Sequence, residues 1–167
     1  LMIRLTWISL VVIILDQITK LAAEGMLTLH EPIPVITGFN ITLVYNTGAA
    51  FSFLSDAGGW QKWFFIGLAI AVSIGIISWL RCSCMDSKSK WMAVALCLIM
   101  GGALGNALDR VIHGHVIDFI DLYYDCYHWP AFNLADVAIS VGAAILIIQE
   151  IFFIKEDASH HEHAEHH

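Results

Sequence analysis

Two aspartates sit where a carboxylate is costly. Asp118 lies in Val116-Ile-Asp-Phe-Ile120 with apolar residues on both sides. Its carboxyl is therefore either desolvated, with a raised pKa, or turned to a polar partner. Asp136 closes Asn133-Leu-Ala-Asp136, immediately before a long apolar run. Those four residues alone read as a helix N-terminus, with Asn133 as N-cap and Asp136 in the first turn facing the helix dipole. If the two carboxyls converge, their repulsion makes them share one proton. The ionised member then draws a proton from water while the other donates to a carbonyl oxygen. Such hydrolysis needs neither a metal nor a nucleophilic side chain. The chain has no Ser or Cys paired with a His in a nucleophile motif, and no HExxH stretch.

Other groups compete for the chemistry. Asp16 and Lys20 are spaced i, i+4 with the acid first, the favoured order for an intrahelical ion pair. The alternative for this pair is a proton relay. Asn106, Asp109 and Arg110 share one helix face, and Gly101 and Gly105 form a small-xxx-small pair that admits a close helix neighbour. His113-x-His115 with His128 offers imidazoles to zinc or copper, or simply histidines at the surface. Cys82, Cys84, Cys97 and Cys126 follow no paired framework and read as free thiols, with a Cys82/Cys84 metal site as the lesser alternative.

The elements that must position these groups are membrane helices. Apolar residues make up 58% of the 167 and charged residues 14%, against about 25% charged in a soluble domain. A small globule cannot cover its surface with so few charges. The net charge of −7 falls to −3 without the four acids from Glu156 onward. No basic stripe marks a nucleic-acid binder. Four stretches, Leu5–Ala23, Trp63–Leu80, Trp91–Leu108 and Val137–Ile154, have 18 or 19 residues, roughly 27–29 Å of helix for a hydrocarbon core of about 30 Å. Asp16 and Lys20 interrupt the first, and no small-x-small cleavage site follows it, so it reads as a span rather than a removable leader.

Arg4, Arg81, Lys88, Lys90 and Lys155 fall on one side of these spans, and Lys62 and Arg110 on the other. That bias places both termini in the cytoplasm and turns Glu24–Lys62 and Asp109–Asp136 outward. In Pro32–Tyr45, Phe39, Ile41, Leu43 and Tyr45 alternate with Asn40, Thr42 and Val44. The period of two predicts a short strand or hairpin whose apolar face rests on the membrane surface. Tyr123, Tyr124, Tyr127 and Trp129 suit an interfacial aromatic belt. The expected fold is an all-α membrane protein: four transmembrane helices with a small extracytoplasmic β-sheet and an interfacial loop. The expected domain covers residues 1–155, including a β segment at about 32–51, followed by an acidic, His-rich cytoplasmic tail at 156–167.

Together these motifs resemble lipoprotein signal peptidase, the bacterial signal peptidase II, over nearly the whole chain. The resemblance runs through Asp16-Gln-Ile-Thr-Lys20, Asn46-Thr-Gly-Ala-Ala-Phe51, Gly101-Gly-Ala-Leu-Gly-Asn-Ala-Leu-Asp-Arg110, Val116-Ile-Asp-Phe119 and Phe132-Asn-Leu-Ala-Asp136. It implies a membrane-embedded aspartic endopeptidase of the bacterial inner membrane, with its active site near the periplasmic surface. Such an enzyme cleaves diacylglyceryl-modified prolipoproteins just before the lipid-bearing cysteine. The resemblance makes Asp118 and Asp136 the catalytic dyad. It makes Asn46, Gly48, Gly102, Asn106, Arg110, Asn133 and Ala135 the surrounding site, supported by Asp16 and Lys20. The expected partners are prolipoproteins and membrane lipids for a monomer with no metal, cofactor or nucleic acid. The contrasting reading is a proton- or metal-coupled transporter using Asp16, Lys20, Asp109 and Arg110 as a relay. A transporter should hold its polar groups near the midplane, whereas here they gather at the outer helix ends.

Overall fold

The computed structural model describes residues 2–48, 59–83 and 87–164, apart from the side chains of 87, 88 and 152–164. A 3-10 turn, Met2–Thr6, leads into α1 (Trp7–Met26). There follow β1 (Ile33–Ile36), β2 (Phe39–Asn46), α2 (Gln61–Cys82), α3 (Ser87–Ile112), β3 (Val116–Tyr124), β4 (Tyr127–His128) and α4 (Leu134–Ala164). The segments Met2–Met26, Gln61–Cys82, Ser89–Ile112 and Leu134–Ile151 are long and apolar enough to cross a bilayer. The last span begins three residues before the expected Val137, because Asn133 starts the helix. The third runs past the expected Leu108 to Ile112, so Asp109 and Arg110 lie in its last turns rather than in a connection.

Burial follows the logic of a protein dissolved in lipid. Ala93, Ala95, Ala107, Ala135 and Ala138 are buried while Trp7, Leu10, Ile14, Ile18 and Ile74 are exposed. Lipid tails are as apolar as Leu, so helices associate through small residues and polar contacts. α3 packs against α1, α2 and α4. A Cβ on Gly101 would stand 2.9 Å from the Ser9 backbone of α1, and one on Gly102 would collide with the Ala135 carbonyl of α4. Gly102→Ala is thus expected to push α4 away and lower stability by about 1–3 kcal/mol. Thermal unfolding in detergent checks this.

The four strands form one antiparallel sheet in the order β1-β2-β3-β4. The β1–β2 hairpin is present as the alternation predicts, turning at Gly38 with φ 89°. Along β2, Phe39 and Ile41 are half-buried and Tyr45 is exposed, so part of the alternating apolar set is left uncovered by protein, while Asn40 and Thr42 are buried. Leu43 is buried as well, where an irregularity in the pairing with β3 between Ile41 and Val44 breaks the strict period. The expected interfacial loop is also largely sheet. β3 takes Val116–Tyr124, with Val116, Ile117 and Asp118 all buried, because it lies between β2 and β4 and also contacts α1 and α3. A strand covered on both faces shows no alternation to read.

Candidate active site

The site lies where the C-terminal parts of α1 and α3 meet β3 and the first turn of α4. Asn133 accepts the amide of Asp136 on its side-chain oxygen (3.0 Å), and Asp136 Oδ2 accepts the amide of Asn133 (3.2 Å). This reciprocal bonding is a capping box, so the helix-cap reading of Asn133-Leu-Ala-Asp136 is correct. Capping occupies one carboxylate oxygen of Asp136. The other, Oδ1, accepts Asn106 Nδ2 at 2.8 Å.

Asp118, 2% exposed, receives two amides: Asn133 Nδ2 on Oδ1 at 2.7 Å and Asn46 Nδ2 on Oδ2 at 3.0 Å. Asn46 is in position because it ends β2 opposite Val116. The Asn133 amide also donates to Asn106 Oδ1 (3.1 Å). An unbroken chain, Asp118–Asn133–Asn106–Asp136, therefore links the two acids. Burial, and next the charge of Asp136, push the Asp118 carboxyl up to about 7, against the opposing pull of its two amides and Lys20.

Both acids border one cavity of about 450 Å³, with Asn46, Asn106, Arg110 and Ser140 among its other polar walls. Trp129, Phe132, Val137 and Val141 supply apolar lining. Arg110 Nη2 donates to the Gly48 carbonyl (2.8 Å) and Nη1 to that of Asn106 (3.2 Å), with the guanidinium 5.0 Å from the Phe65 ring centre. Gly48 in turn donates its amide to Asn46 Oδ1 (3.0 Å).

Beneath the pair lies an ion network. Lys20 Nζ meets Asp16 Oδ2 and Asp109 Oδ2, each at 2.8 Å, and Asn106 Oδ1 at 2.9 Å. Asp16 Oδ1 accepts the Ala135 amide (3.0 Å), another first-turn donor of α4 that the helix itself cannot satisfy. Gly105 makes room for this, since a Cβ there would stand 2.7 Å from Asp16 Oδ2. Asp16 and Lys20 therefore form the expected i, i+4 pair and also hold the start of α4 and Asn106.

Two contributions lay outside the expected site. Asp109 accepts the Ile117 amide (3.2 Å) and Gln17 Nε2 (2.7 Å), which ties β3 to α1 and α3 beside Asp118. Gln17 carries no signal of its own beyond adjacency to Asp16. The proposed histidine cluster does not assemble: the His113 and His115 rings are 5.9 Å apart, whereas His128 bonds to Asp121 (2.9 Å). Among the described residues no three His, Cys, Asp or Glu side chains are grouped to hold a metal ion. Ala49, Ala50 and Phe51 of the Asn46–Phe51 motif, and Cys84, lie outside the described residues.

The family model and the sequence relatives name the same family. A sequence model described as signal peptidase (SPase) II matches residues 8–152. A lipoprotein signal peptidase of Alteromonas mediterranea is 52% identical over 145 residues, covering 87% of this chain and 79% of the relative. One of Teredinibacter turnerae is 52% identical over 149 residues, covering 89% and 87%. A bacterial membrane enzyme solved by the in meso method superposes with a TM-score of 0.77 at 33% identity, covering 89% of this chain and 87% of that one. A second structure so described gives 0.73 at 34%, covering 87% and 90%. With the matched region containing both aspartates, the amide chain between them, most of the first span and the whole of the other three, the chain belongs to the signal peptidase II family.

Proposed function

We propose that this protein is an aspartic endopeptidase that removes signal peptides from diacylglyceryl-modified prolipoproteins, cutting just before the modified cysteine, with Asp118 and Asp136 as the catalytic dyad. The observation that carries this reading is the pair of carboxyls bordering one cavity and joined by shared amides. Asp118 holds the proton and Asp136 the negative charge. A water between them gives a proton to Asp136 and attacks the scissile carbonyl, whose oxygen takes the Asp118 proton. Collapse of the tetrahedral intermediate passes a proton to the leaving nitrogen, and the dyad returns to its one-proton state. Arg110, Asn46 and Asn106 offer donors at the rim to backbone carbonyls that the low-dielectric site strips of water.

The substrate is itself a membrane helix with a lipid at its end, so its scissile bond lies near an interface. Helix ends and an interfacial sheet deliver carboxyls to that depth. In this account the protein acts as a monomer in the bacterial inner membrane. Residues 1–155 form the peptidase, both termini and the 156–167 tail are cytoplasmic, and the site faces the periplasm. The test is to offer purified protein one precursor peptide with and without the diacylglyceryl group. The account expects cleavage before the cysteine in the modified peptide alone. Equal cleavage of both forms contradicts the lipid requirement.

The shared proton also sets a pH dependence. With the Asp118 carboxyl raised to about 7, the free enzyme loses its donor as the pH climbs through that value. kcat/KM, which reports the free enzyme, is expected to fall along a limb near pH 7. Substrate displaces water from the cavity and favours the protonated form further. The matching limb in kcat is therefore expected at higher pH. Initial rates across pH 5 to 9 check the order of the two limbs.

A further inference from the structure

Away from the dyad, the sheet holds a second buried carboxylate. Asp121, 7% exposed, sits on β3 three residues beyond Asp118 and takes no part in the amide chain. Its Oδ2 accepts Asn40 Nδ2 from β2 at 2.8 Å, and both of its oxygens face His128 Nδ1 of β4 at 2.9 and 3.0 Å. An ionised carboxylate only accepts, so Nδ1 carries the proton of that bond. The imidazole also stacks on Tyr123 at 5.2 Å and an interplanar angle of 19°. One carboxylate thus joins three strands.

The contact lies next to the cavity wall in sequence. β4 is two residues long, too short to stabilise itself by backbone pairing. The chain leaves it directly into Trp129, Pro130 and Ala131, all of which line the dyad's cavity. That lip is fixed at one end by the Trp129 amide on the Leu122 carbonyl (2.7 Å) and at the other by Phe132 bonded to Ile120 (3.1 Å). Between those points no backbone bond of Pro130 or Ala131 is recorded among the described residues. The side-chain bond from His128 to Asp121 lies one residue before the first of these anchors.

Building on the peptidase reading, we propose that Asp121, with Asn40 and His128, is a positioning residue for substrate: it fixes the Trp129–Ala131 lip and through it the affinity for the precursor, not the rate of bond cleavage. The dyad's own partners, Asn46, Asn106 and Asn133, are untouched by this cluster, so removing it leaves the reacting carboxyls in place.

The test compares His128→Ala and His128→Asn, the latter keeping an amide donor near the position of Nδ1. His128→Ala frees the lip to leave its substrate-binding position, and the cost of re-forming that position on binding, bounded by one hydrogen bond to a charged group, predicts a rise in KM of up to about tenfold with kcat within about twofold, and recovery in His128→Asn. Binding of a fluorescent diacylglyceryl-modified precursor to the inactive Asp136→Asn protein separates this inference from the peptidase reading. His128→Ala in that background is expected to weaken binding by the same factor whether or not the wild-type protein cuts. In a Trp129→Ala background the loss is expected to vanish, because the lip's contact is already gone. A fall in kcat at unchanged KM, an effect that simply adds to that of Trp129→Ala, or no recovery with Asn would overturn the proposal. Failure of the precursor to bind the Asp136→Asn protein would overturn both readings.

Discussion

Asp118→Asn and Asp136→Asn are each expected to lower kcat by about 10⁴-fold, the upper end for a positioned acid–base group, while the protein stays folded. Neither amide can cycle a proton between water, carbonyl and leaving nitrogen. Asp118 accepts one amide on each oxygen, so an Asn there turns its own NH₂ toward a donor, and one unsatisfied bond costs about 1–3 kcal/mol. With the proton resting on Asp118, the substitution removes no charge, so Tm in detergent is expected to fall by no more than that cost. Rates on the modified precursor, with Tm measured on the same samples, check both halves. Near-normal cleavage by either variant removes the dyad assignment.

The largest stability effect is expected from Lys20→Met. Lys20 is 1% exposed and bridges Asp16 and Asp109, which are 0% and 1% exposed. Removing the cation strands two acids, and breaking a buried pair in this way costs about 3–5 kcal/mol. The loss reaches the site, because Asp16 holds the Ala135 amide, Asp109 holds the Ile117 amide and Lys20 itself holds Asn106. Activity should therefore fall together with thermal stability in detergent. Adding Asp16→Asn to Lys20→Met removes one of the stranded charges and is expected to restore part of the Tm. A double variant no more stable than Lys20→Met would contradict the charge explanation.

Much of the site is legible in the chain because a membrane protein carries few charges. Asp16, Lys20, Asp109, Arg110, Asp118 and Asp136 each interrupt or edge an apolar run, and such groups need a partner or a task. The helices are legible for the same reason. β3 is less so, since Val116-Ile-Asp-Phe-Ile120 is covered on both faces and lacks alternation. The burial of Leu43 beside Thr42 in β2 goes with an irregular register between Ile41 and Val44, which local sequence does not announce. The Asn40–Asp121–His128 contact likewise depends on which strands are neighbours. Asn133 and Asp136 show how two readings coexist: the pattern that caps a helix also presents one carboxylate oxygen to Asn106.

The central claim, that the aspartate pair activates water directly, is tested most directly by a single turnover in ¹⁸O-water with hydroxylamine and EDTA present. The precursor is the diacylglyceryl-modified peptide, and the readout is mass spectrometry of the released signal peptide. The account predicts one ¹⁸O atom in the new C-terminal carboxylate, no hydroxamate and an undiminished rate. A hydroxamate, marking an acyl-enzyme, or loss of activity in EDTA that zinc restores, would contradict it.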